Sequence, residues 1–261
     1  MKNKLLLVLI LFWGNLIYSQ VPATPEKQYA FVTYHKLNTG KTIEEALEIE
    51  KIWKLVHQAR KNAGLITAWE MYSVYNWNKT PDVDFDVLTV HYGSDPDKLV
   101  QYPVEMIGAL LKQYPQHADL WKKTQEVYTI LRGEFFVNEA NVGALKPNQI
   151  MLIENIRVKP EHYFEYADME RKMANFHAER VKSGILSRWT FWQRLSPPVH
   201  QGRQYFMTTN EYPSVANMAQ GGYTEELARK IFNMSLFEAW GKMVSLREVE
   251  SSLLVTKLEG L

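Results

Sequence analysis

The chain has 261 residues, and its 30 basic side chains nearly balance its 29 acidic ones. This balance argues against a nucleic-acid partner, which normally requires a net basic domain or stripe. The absence of cysteine excludes disulfides, thiolate catalysis and cysteine-ligated metal centres. Aromatic residues make up 13% of the chain, which indicates a large core or an aromatic-lined cavity.

The first nineteen residues have the layout of a cleavable export signal. Lys2 and Lys4 precede an apolar run, Leu5–Trp13, and the small residue Ser19 stands before Gln20. The apolar run is shorter than the roughly 20 residues that a membrane-spanning helix needs. We therefore predict a signal peptide over residues 1–19, export to the periplasm or the extracellular space, and no membrane span after cleavage.

The first half of the mature chain predicts the element order β-α-β-β-α-β. A strand at Tyr29–Lys36 precedes a helix at Thr42–Asn62, whose first turn has the capping-box pattern of Thr42 and Glu45. Gly64 follows the helix, where a left-handed residue closes the last turn. Helical sequence later runs to about Leu131. The remaining predicted strands are Leu65–Val74, Phe85–Tyr92 and Glu134–Asn138.

The second half predicts the same order. Its helix, Pro160–Lys182, ends before Gly184, and Pro160 suits a first helical turn. Helical sequence runs again to about Arg247. The predicted strands are Ile150–Val158, Ile185–Leu195, Gln204–Tyr212 and Leu253–Lys257. We therefore divide the chain into a first unit at 20–140, a linker at 141–148 and a second unit at 149–261.

A shift of 120 residues aligns the two halves around their first helices, which indicates a tandem repeat. The same shift pairs Tyr92 with Tyr212, and a shift of 119 pairs Trp121 with Trp240. The identical pairs around the helices are Glu50/Glu170, His57/His177, Arg60/Arg180, Gly64/Gly184 and Trp69/Trp189.

The first strand of each half is apolar on both alternating faces. A sheet with one solvated face would alternate more cleanly, so the second face of each sheet must be buried. The simplest arrangement buries each sheet against the other half. The fold class is therefore α+β, with two tandem ferredoxin-like units packed sheet to sheet as a barrel within one chain.

This order, the strand-to-helix passage Ile150–Pro160 and the stretch from the helix through Gly184 to Trp189 resemble the dimeric α/β-barrel superfamily. The resemblance implies two ferredoxin-like units packed around a central cavity, a pseudo-dimer in one chain that can oligomerise further. The superfamily includes cofactor-free monooxygenases, haem proteins and isomerase-like enzymes, so the fold alone does not define the function.

The repeated trio of Glu50, His57 and Arg60, with Glu170, His177 and Arg180, is the first candidate site. Seven residues on a helix return to within roughly 20° of the same direction, so each trio can line one stripe. One interpretation is structural, with each trio satisfying its own hydrogen bonds and fixing the helix to its neighbours. The other is a pair of sites that bind an anion or perform acid–base work through histidine.

Polar residues on the predicted strands are the second candidate site. In a barrel, alternate positions face the central cavity, where a ligand would bind among aromatic side chains. The alternative is that these residues are satisfied core groups or edge positions. The candidate ligand-binding residues are His35, His91, Glu154, Asn155, Trp189 and Asn210. The resemblance to cofactor-free monooxygenases suggests Asn155 and Trp189 by residue type.

No metal site is predicted, because the seven histidines show none of the pre-set spacings of zinc ligands. No cofactor is predicted either. The resemblance to chlorite dismutase-like proteins, which use one histidine of the second unit as haem ligand, leaves haem at His177 as an alternative.

Three functions remain open at this stage. The first is an exported protein that binds a small apolar or aromatic molecule in the cavity between the two sheets. The second is an enzyme of the cofactor-free monooxygenase or isomerase type, and the third is a structural or interaction module without a ligand. The size and polarity of the space between the sheets distinguishes them.

Overall fold

In the computed structural model, which describes residues 27–75, 83–144, 150–196 and 204–261, eight antiparallel strands close into one barrel. The predicted signal segment lies outside the described residues. The strands are β1 (Tyr29–Leu37), β2 (Ala68–Val74), β3 (Val87–Gly93), β4 (Tyr128–Gly143), β5 (Ile150–Val158), β6 (Arg188–Ser196), β7 (Gln204–Tyr212) and β8 (Glu248–Gly260).

The helices cover the outside of the barrel. In the described ranges, none is long and apolar enough to cross a membrane. They are α1 (Ile43–Asn62), α2 (Pro96–Leu99), α3 (Val104–Gln113), α4 (Leu120–Val127), α5 (Tyr163–Lys182), α6 (Val215–Ala219), α7 (Glu225–Phe232) and α8 (Leu236–Leu246).

The strand order around the barrel is β1-β3-β2-β8-β5-β7-β6-β4. Each half contributes a four-stranded ferredoxin-like sheet, β4-β1-β3-β2 or β8-β5-β7-β6. The last strand of each half also pairs with the other half, β4 with β6 and β8 with β2. The two sheets are thus joined at both edges, which leaves no open edge to aggregate.

Each strand has one face inside the barrel and one face toward the helices, as the two-sided apolar pattern predicts. One core cluster takes side chains from all eight strands, among them Tyr34, Tyr92 and Trp192, and fills the interior. Two further clusters lie outside, one beneath α1 and α4 and one beneath α5 and α8.

A buried charged cluster inside the barrel links the two halves. Arg188 of β6 forms ion pairs with Glu211 of β7 and, at 3.8 Å, with Glu70 of β2. Lys257 of β8 approaches Glu70 at 2.6 Å. Because opposite charges are paired, their mutual attraction offsets the desolvation cost of keeping this cluster in the interior.

The helix signals are largely confirmed. Thr42 and Glu45 form the predicted capping box of α1, and Gly64 and Gly184 have positive φ angles of 67° and 77°. Pro160, however, lies in a short 3₁₀ turn, and α5 begins only at Tyr163.

The fourth and eighth strands differ most from prediction. The sequence predicted helix to about Leu131, but β4 already begins at Tyr128 and continues to Gly143, into the predicted linker. Similarly, β8 extends over Glu248–Gly260. The reason is that each pairs with strands of both halves, a long-range contact that local sequence does not specify.

The pairing of Tyr92 with Tyr212 is also wrong by one residue. Trp69 pairs with His91 across the sheet, whereas Trp189 pairs with Asn210, so β3 and β7 correspond with a shift of 119. The Tyr92 hydroxyl accepts a hydrogen bond from Arg188 inside the barrel, and the Tyr212 hydroxyl accepts one from Arg180 of α5 outside it.

Candidate functional site

The space between the two sheets is almost completely filled. The cavity inside the barrel has a volume of only 20 Å³ and is lined mainly by apolar and aromatic side chains. The prediction placed the ligand in this space, but the larger cavities lie beneath the helices outside the barrel and at one end of it. The inward side chains are too large to leave room, because Tyr34, Tyr92 and Trp192 all point to the interior.

The first cavity lies between the outer face of the first sheet and helices α1 and α4. Its volume is 260 Å³. The aromatic side chains in its wall are Phe31, Trp53, Tyr102, Trp121 and Tyr128. Trp121 is 50% exposed, so it lies at the entrance.

Three buried histidines contribute to the wall of the first cavity: His35, His57 and His91. Burial lowers the pKa of all three, that of His35 to about 4, and the Arg60 charge lowers those of His57 and His91 further. The imidazoles are therefore neutral at physiological pH. The rings of His57 and His91 lie 4.7 Å apart.

The hydrogen bonds of these histidines involve only some of their ring nitrogens. His35 Nε2 is 3.1 Å from Thr89 Oγ1, and His91 Nε2 is 3.1 Å from the Tyr102 hydroxyl. His35 Nδ1 is buried and has no partner among the described residues. A buried polar atom without a partner is costly.

Glu50 lines the same cavity as a buried carboxyl group. The Tyr128 hydroxyl donates a short hydrogen bond to it. Burial raises the pKa of Glu50 to about 7, although the Tyr128 hydrogen bond lowers it. Glu50 therefore changes its protonation state close to neutral pH.

Within the first trio, only His57 and Arg60 are bonded to each other. Arg60 Nη1 donates to His57 Nδ1 at 3.4 Å, and Arg60 Nη2 donates to the Leu99 carbonyl at 2.6 Å. Glu50 lies two turns from His57, roughly 10 Å along the helix. The trio therefore does not satisfy itself, contrary to the structural interpretation in its simple form.

The second cavity has the corresponding position between the second sheet and helices α5 and α8. Its volume is only 50 Å³. Glu170 accepts hydrogen bonds from the Tyr166 hydroxyl at 2.7 Å and from Arg247 at 3.1 Å. Burial raises the pKa of Glu170, and the Arg247 charge opposes this.

Arg180 has more partners than Arg60. It donates to His177 Nδ1 at 2.9 Å, to Asn210 at 3.3 Å, and to the hydroxyl groups of Tyr212 and Tyr223 at 3.0 and 2.9 Å. Burial lowers the pKa of His177, and the Arg180 charge lowers it further. His177 stacks on Trp189 as His57 stacks on Trp69, with ring centroids 4.6 and 4.8 Å apart.

The structure divides the predicted site residues between these cavities. His35 and His91 join Glu50 and His57 in the first cavity, and the residues joining Glu170 and His177 in the second are Glu154, Trp189 and Asn210. Asn155 instead faces the barrel interior and donates to Ser251 at 2.9 Å. Arg60 and Arg180 lie behind their histidines.

Sequence reasoning missed the aromatic and charged residues that the second helical segment of each half provides. Tyr128 and Arg247 are the partners of Glu50 and Glu170, and Tyr102 and Tyr223 contact Arg60 and Arg180. The pairing of Trp121 with Trp240 at a shift of 119 was the available signal. The same shift pairs Tyr128 with Arg247.

A haem ligated by His177 does not fit the residues of the second cavity. A guanidinium group can only donate hydrogen bonds, so His177 Nδ1 is an acceptor and its proton is on Nε2. A metal-ligating histidine has the opposite arrangement, with the remaining ring N–H donating to an acceptor. The cavity of 50 Å³ is also too small. Elsewhere in the described ranges, no group of three His, Asp or Glu side chains can hold a metal ion.

A third cavity of 460 Å³ opens at one end of the barrel. Its charged groups are already paired: Arg132 with Asp84 at 2.9 Å, Arg194 with Glu134 at 3.5 Å, and Arg157 with Glu250. It therefore offers a ligand less than the first cavity.

Comparison with known proteins supports the class of fold. No protein-family model and no curated protein matches the sequence. Among solved structures, an anthrone oxidase-like protein has 13% identity and a TM-score of 0.51, covering 91% of this chain and 94% of its own. A chlorite dismutase variant from Candidatus Nitrospira defluvii has 9% identity and a TM-score of 0.51, covering 90% and 93%.

These similarities establish the fold and nothing further. The chain shares with these structures the fold of a closed α/β barrel, and it has both ferredoxin-like sheets in one polypeptide.

Proposed function

We propose that this protein binds a small, flat, largely apolar molecule that carries a hydroxyl or carbonyl group, and that it does so in the first cavity. The observation that carries the proposal is the combination of an aromatic wall with neutral imidazoles in a 260 Å³ space. A cavity of about 150 Å³ is already large enough for benzene. The expected ligand is therefore one substituted aromatic ring.

The chemistry of the wall supports this ligand class. Small-molecule sites are mostly apolar, with few polar groups that fix orientation. The polar groups here are His35, His57, His91 and the Glu50 carboxyl group, none of which needs a charged partner when neutral. A hydroxyl or carbonyl group of the ligand can form hydrogen bonds with them.

The matched positions Thr89 and Thr208 provide the test. They face the first and second cavities from equivalent places on β3 and β7, and both are buried. Thr89→Leu fills part of the first cavity, and Thr208→Leu fills part of the second. With a panel of hydroxylated aromatic compounds, calorimetry should detect binding to the wild type and to Thr208→Leu, and at least tenfold weaker binding to Thr89→Leu. Equal affinities for the two variants would place the ligand elsewhere.

An acid–base enzyme is the second candidate, and the titration of Glu50 favours it. A catalytic acid or base works best with a pKa close to the operating pH, and the Glu50 carboxyl group has a pKa of about 7 within the cavity. Similarity of the fold to an anthrone oxidase-like protein is consistent with this candidate. NMR in D₂O would test it, since an enzyme that abstracts a proton exchanges a carbon-bound hydrogen of the ligand, and Glu50→Gln should abolish the exchange. A ligand that binds without any hydrogen exchange would argue against the enzyme and support a binding protein.

We also propose that the protein is exported and that its two halves are copies of one unit. The signal pattern of residues 1–19 supports export, and the shared element order with equivalent His–Arg pairs supports the repeat. Mass spectrometry of the secreted or periplasmic protein should give an N-terminus at Gln20. Recovery of full-length chain in the cytoplasm alone would argue against export.

A further inference from the structure

Each half buries an arginine that has no carboxylate partner. Arg60 and Arg180 are 0% and 1% exposed, and their hydrogen bonds go to imidazole, carbonyl, amide and hydroxyl groups. Neither forms an ion pair with a carboxylate of the described residues. A charge buried without an opposite charge is expensive, and only these polar contacts offset its cost.

Both arginines act on the cavities through a histidine. Arg60 and Arg180 donate to Nδ1 of His57 and His177, at 3.4 and 2.9 Å. Because guanidinium groups have no acceptor, the imidazole proton must be on Nε2. Neither Nε2 has a hydrogen-bond partner among the described residues, and both rings line their cavities. Each cavity therefore receives an N–H donor that a positive charge polarises from behind.

We infer that the His57–Arg60 pair binds the oxygen of the ligand as an oxyanion, so that the ligand class is an ionisable phenol or an enolisable carbonyl compound. A neutral imidazole held by neighbouring positive charge is a strong N–H donor to a developing oxyanion. A preorganised donor in a cavity that excludes water stabilises such a charge far better than solvent does. This inference rests on the proposed ligand site.

The other charges around the cavity agree with an anionic ligand. Glu50 is the carboxyl group in its wall, and burial raises its pKa to about 7, so it can be neutral when the anion binds. The guanidinium group of Arg60 lies over the Tyr102 ring, 3.9 Å from its centroid. Tyr102 and His57 line the cavity, and Arg60 contacts both from behind as a positioning residue.

The bound ionisation state of 4-nitrophenol tests this inference. This phenol ionises near neutral pH, and its phenolate absorbs visible light, so its protonation can be followed within the complex. Bound to the wild-type protein, it should ionise at least one pH unit lower than in solution, about a tenfold preference for the phenolate. A bound probe that titrates as it does in water would overturn the oxyanion inference, but it would still support the proposed ligand site. A probe that does not bind would count against the proposed function itself.

Substitutions test whether the ionisation shift of bound 4-nitrophenol depends on the His57–Arg60 pair. His57→Phe keeps a ring against Trp69 but removes the donor, and should abolish the shift. His57→Gln should restore much of it, because its amide nitrogen reaches the position of Nε2. Arg60→Gln keeps a donor to His57 without the charge and should reduce the shift. His177→Phe, the matched control in the second half, should leave it unchanged. A shift that persists in His57→Phe and Arg60→Gln would refute the assignment.

A measurement on the wild-type protein avoids any effect of substitution on folding. In protein labelled with ¹⁵N-histidine, the ring nitrogen shifts should identify the Nε2–H tautomer for His57 and His177. The Nδ1–H tautomer at His57 would contradict the proposed donor directly.

Discussion

The two cavities have the same scaffold but different electrostatics. In both, a histidine stacks on a tryptophan and accepts a hydrogen bond from a buried arginine. In the first, the glutamate of the trio faces Tyr128, whereas in the second it faces Arg247. One exchange at an equivalent position thus gives a carboxyl group that titrates near pH 7 and a carboxylate held in an ion pair.

The two cavities also differ in volume. Arg180 donates hydrogen bonds to Tyr212, Tyr223 and Asn210 beside a cavity of 50 Å³, whereas Arg60 has fewer partners beside a cavity of 260 Å³. A shared framework can therefore support a ligand site in one half and a tightly bonded core in the other. The residues that are identical in the two halves therefore hold both histidines in the same way, whereas the residues that differ give each cavity its own volume and charge.

The largest effect is expected on removing the charged partner in the second half. Arg247→Met leaves Glu170 buried without a cation, and should lower the free energy of unfolding by about 3–5 kcal/mol. Tyr128→Phe, at the equivalent position, removes one hydrogen bond from a carboxyl group that can be neutral and should cost about 1 kcal/mol. Urea unfolding at pH 7 measures both. Equal losses would mean that the two glutamates do not differ as described.

Substituting glutamine for each of the two glutamates should change the stability of the protein in opposite directions at pH 8. Glu50 has a folded-state pKa of about 7, above its ordinary value of 4.5. Below pH 4.5 it is protonated in both states, but as pH rises to 7 the unfolded state gains stability from ionisation that the folded state lacks. Glu50→Gln removes this penalty and should stabilise the protein by about 3 kcal/mol at pH 8, with almost no gain at pH 4.

Glu170→Gln is the matched control for this pH dependence. It leaves Arg247 buried without its carboxylate, 3.1 Å from the substituted group, and should destabilise the protein at pH 8. Chemical denaturation at both pH values separates the cases. A Glu50→Gln variant that is less stable than the wild type at pH 8 would show that folding does not penalise ionisation of Glu50, and so that its pKa is not raised.

The fold was more predictable than the site, and for physical reasons. Strands that are apolar on both faces need a second sheet to bury them, so the closed barrel followed from residues such as Ile153 and Ile156, which lie on opposite faces of one strand. The extent of β4 and β8 did not follow, because their pairing with the other half lies far away in sequence. The trio was found because both halves contain it, but its partners Tyr128 and Arg247 differ in chemistry, and a search for identical residues cannot reveal such positions.

The location of the ligand space required side-chain volumes in three dimensions. Strand alternation predicts on which face of its strand His35 or Asn155 lies. It does not predict whether the unfilled space lies inside the barrel or outside it. In the structure the interior is filled, and the outer face beneath α1 is not. Aromatic side chains such as Trp192 take the interior volume, which a one-dimensional pattern cannot measure.

The smallest expected effect compares how the two long helices begin. The Thr42 side chain accepts a hydrogen bond from the Glu45 backbone N–H and completes a capping box, whereas α5 begins after a 3₁₀ turn with no side-chain cap at His162. Thr42→Ala should therefore cost about 1 kcal/mol, and His162→Ala should cost almost nothing. Because α1 carries Glu50, His57 and Arg60, fraying of its first turn should be measurable by hydrogen exchange of its amides. Similar losses in the two variants would show that the caps do not distinguish the helices, and that packing alone holds each one against its sheet.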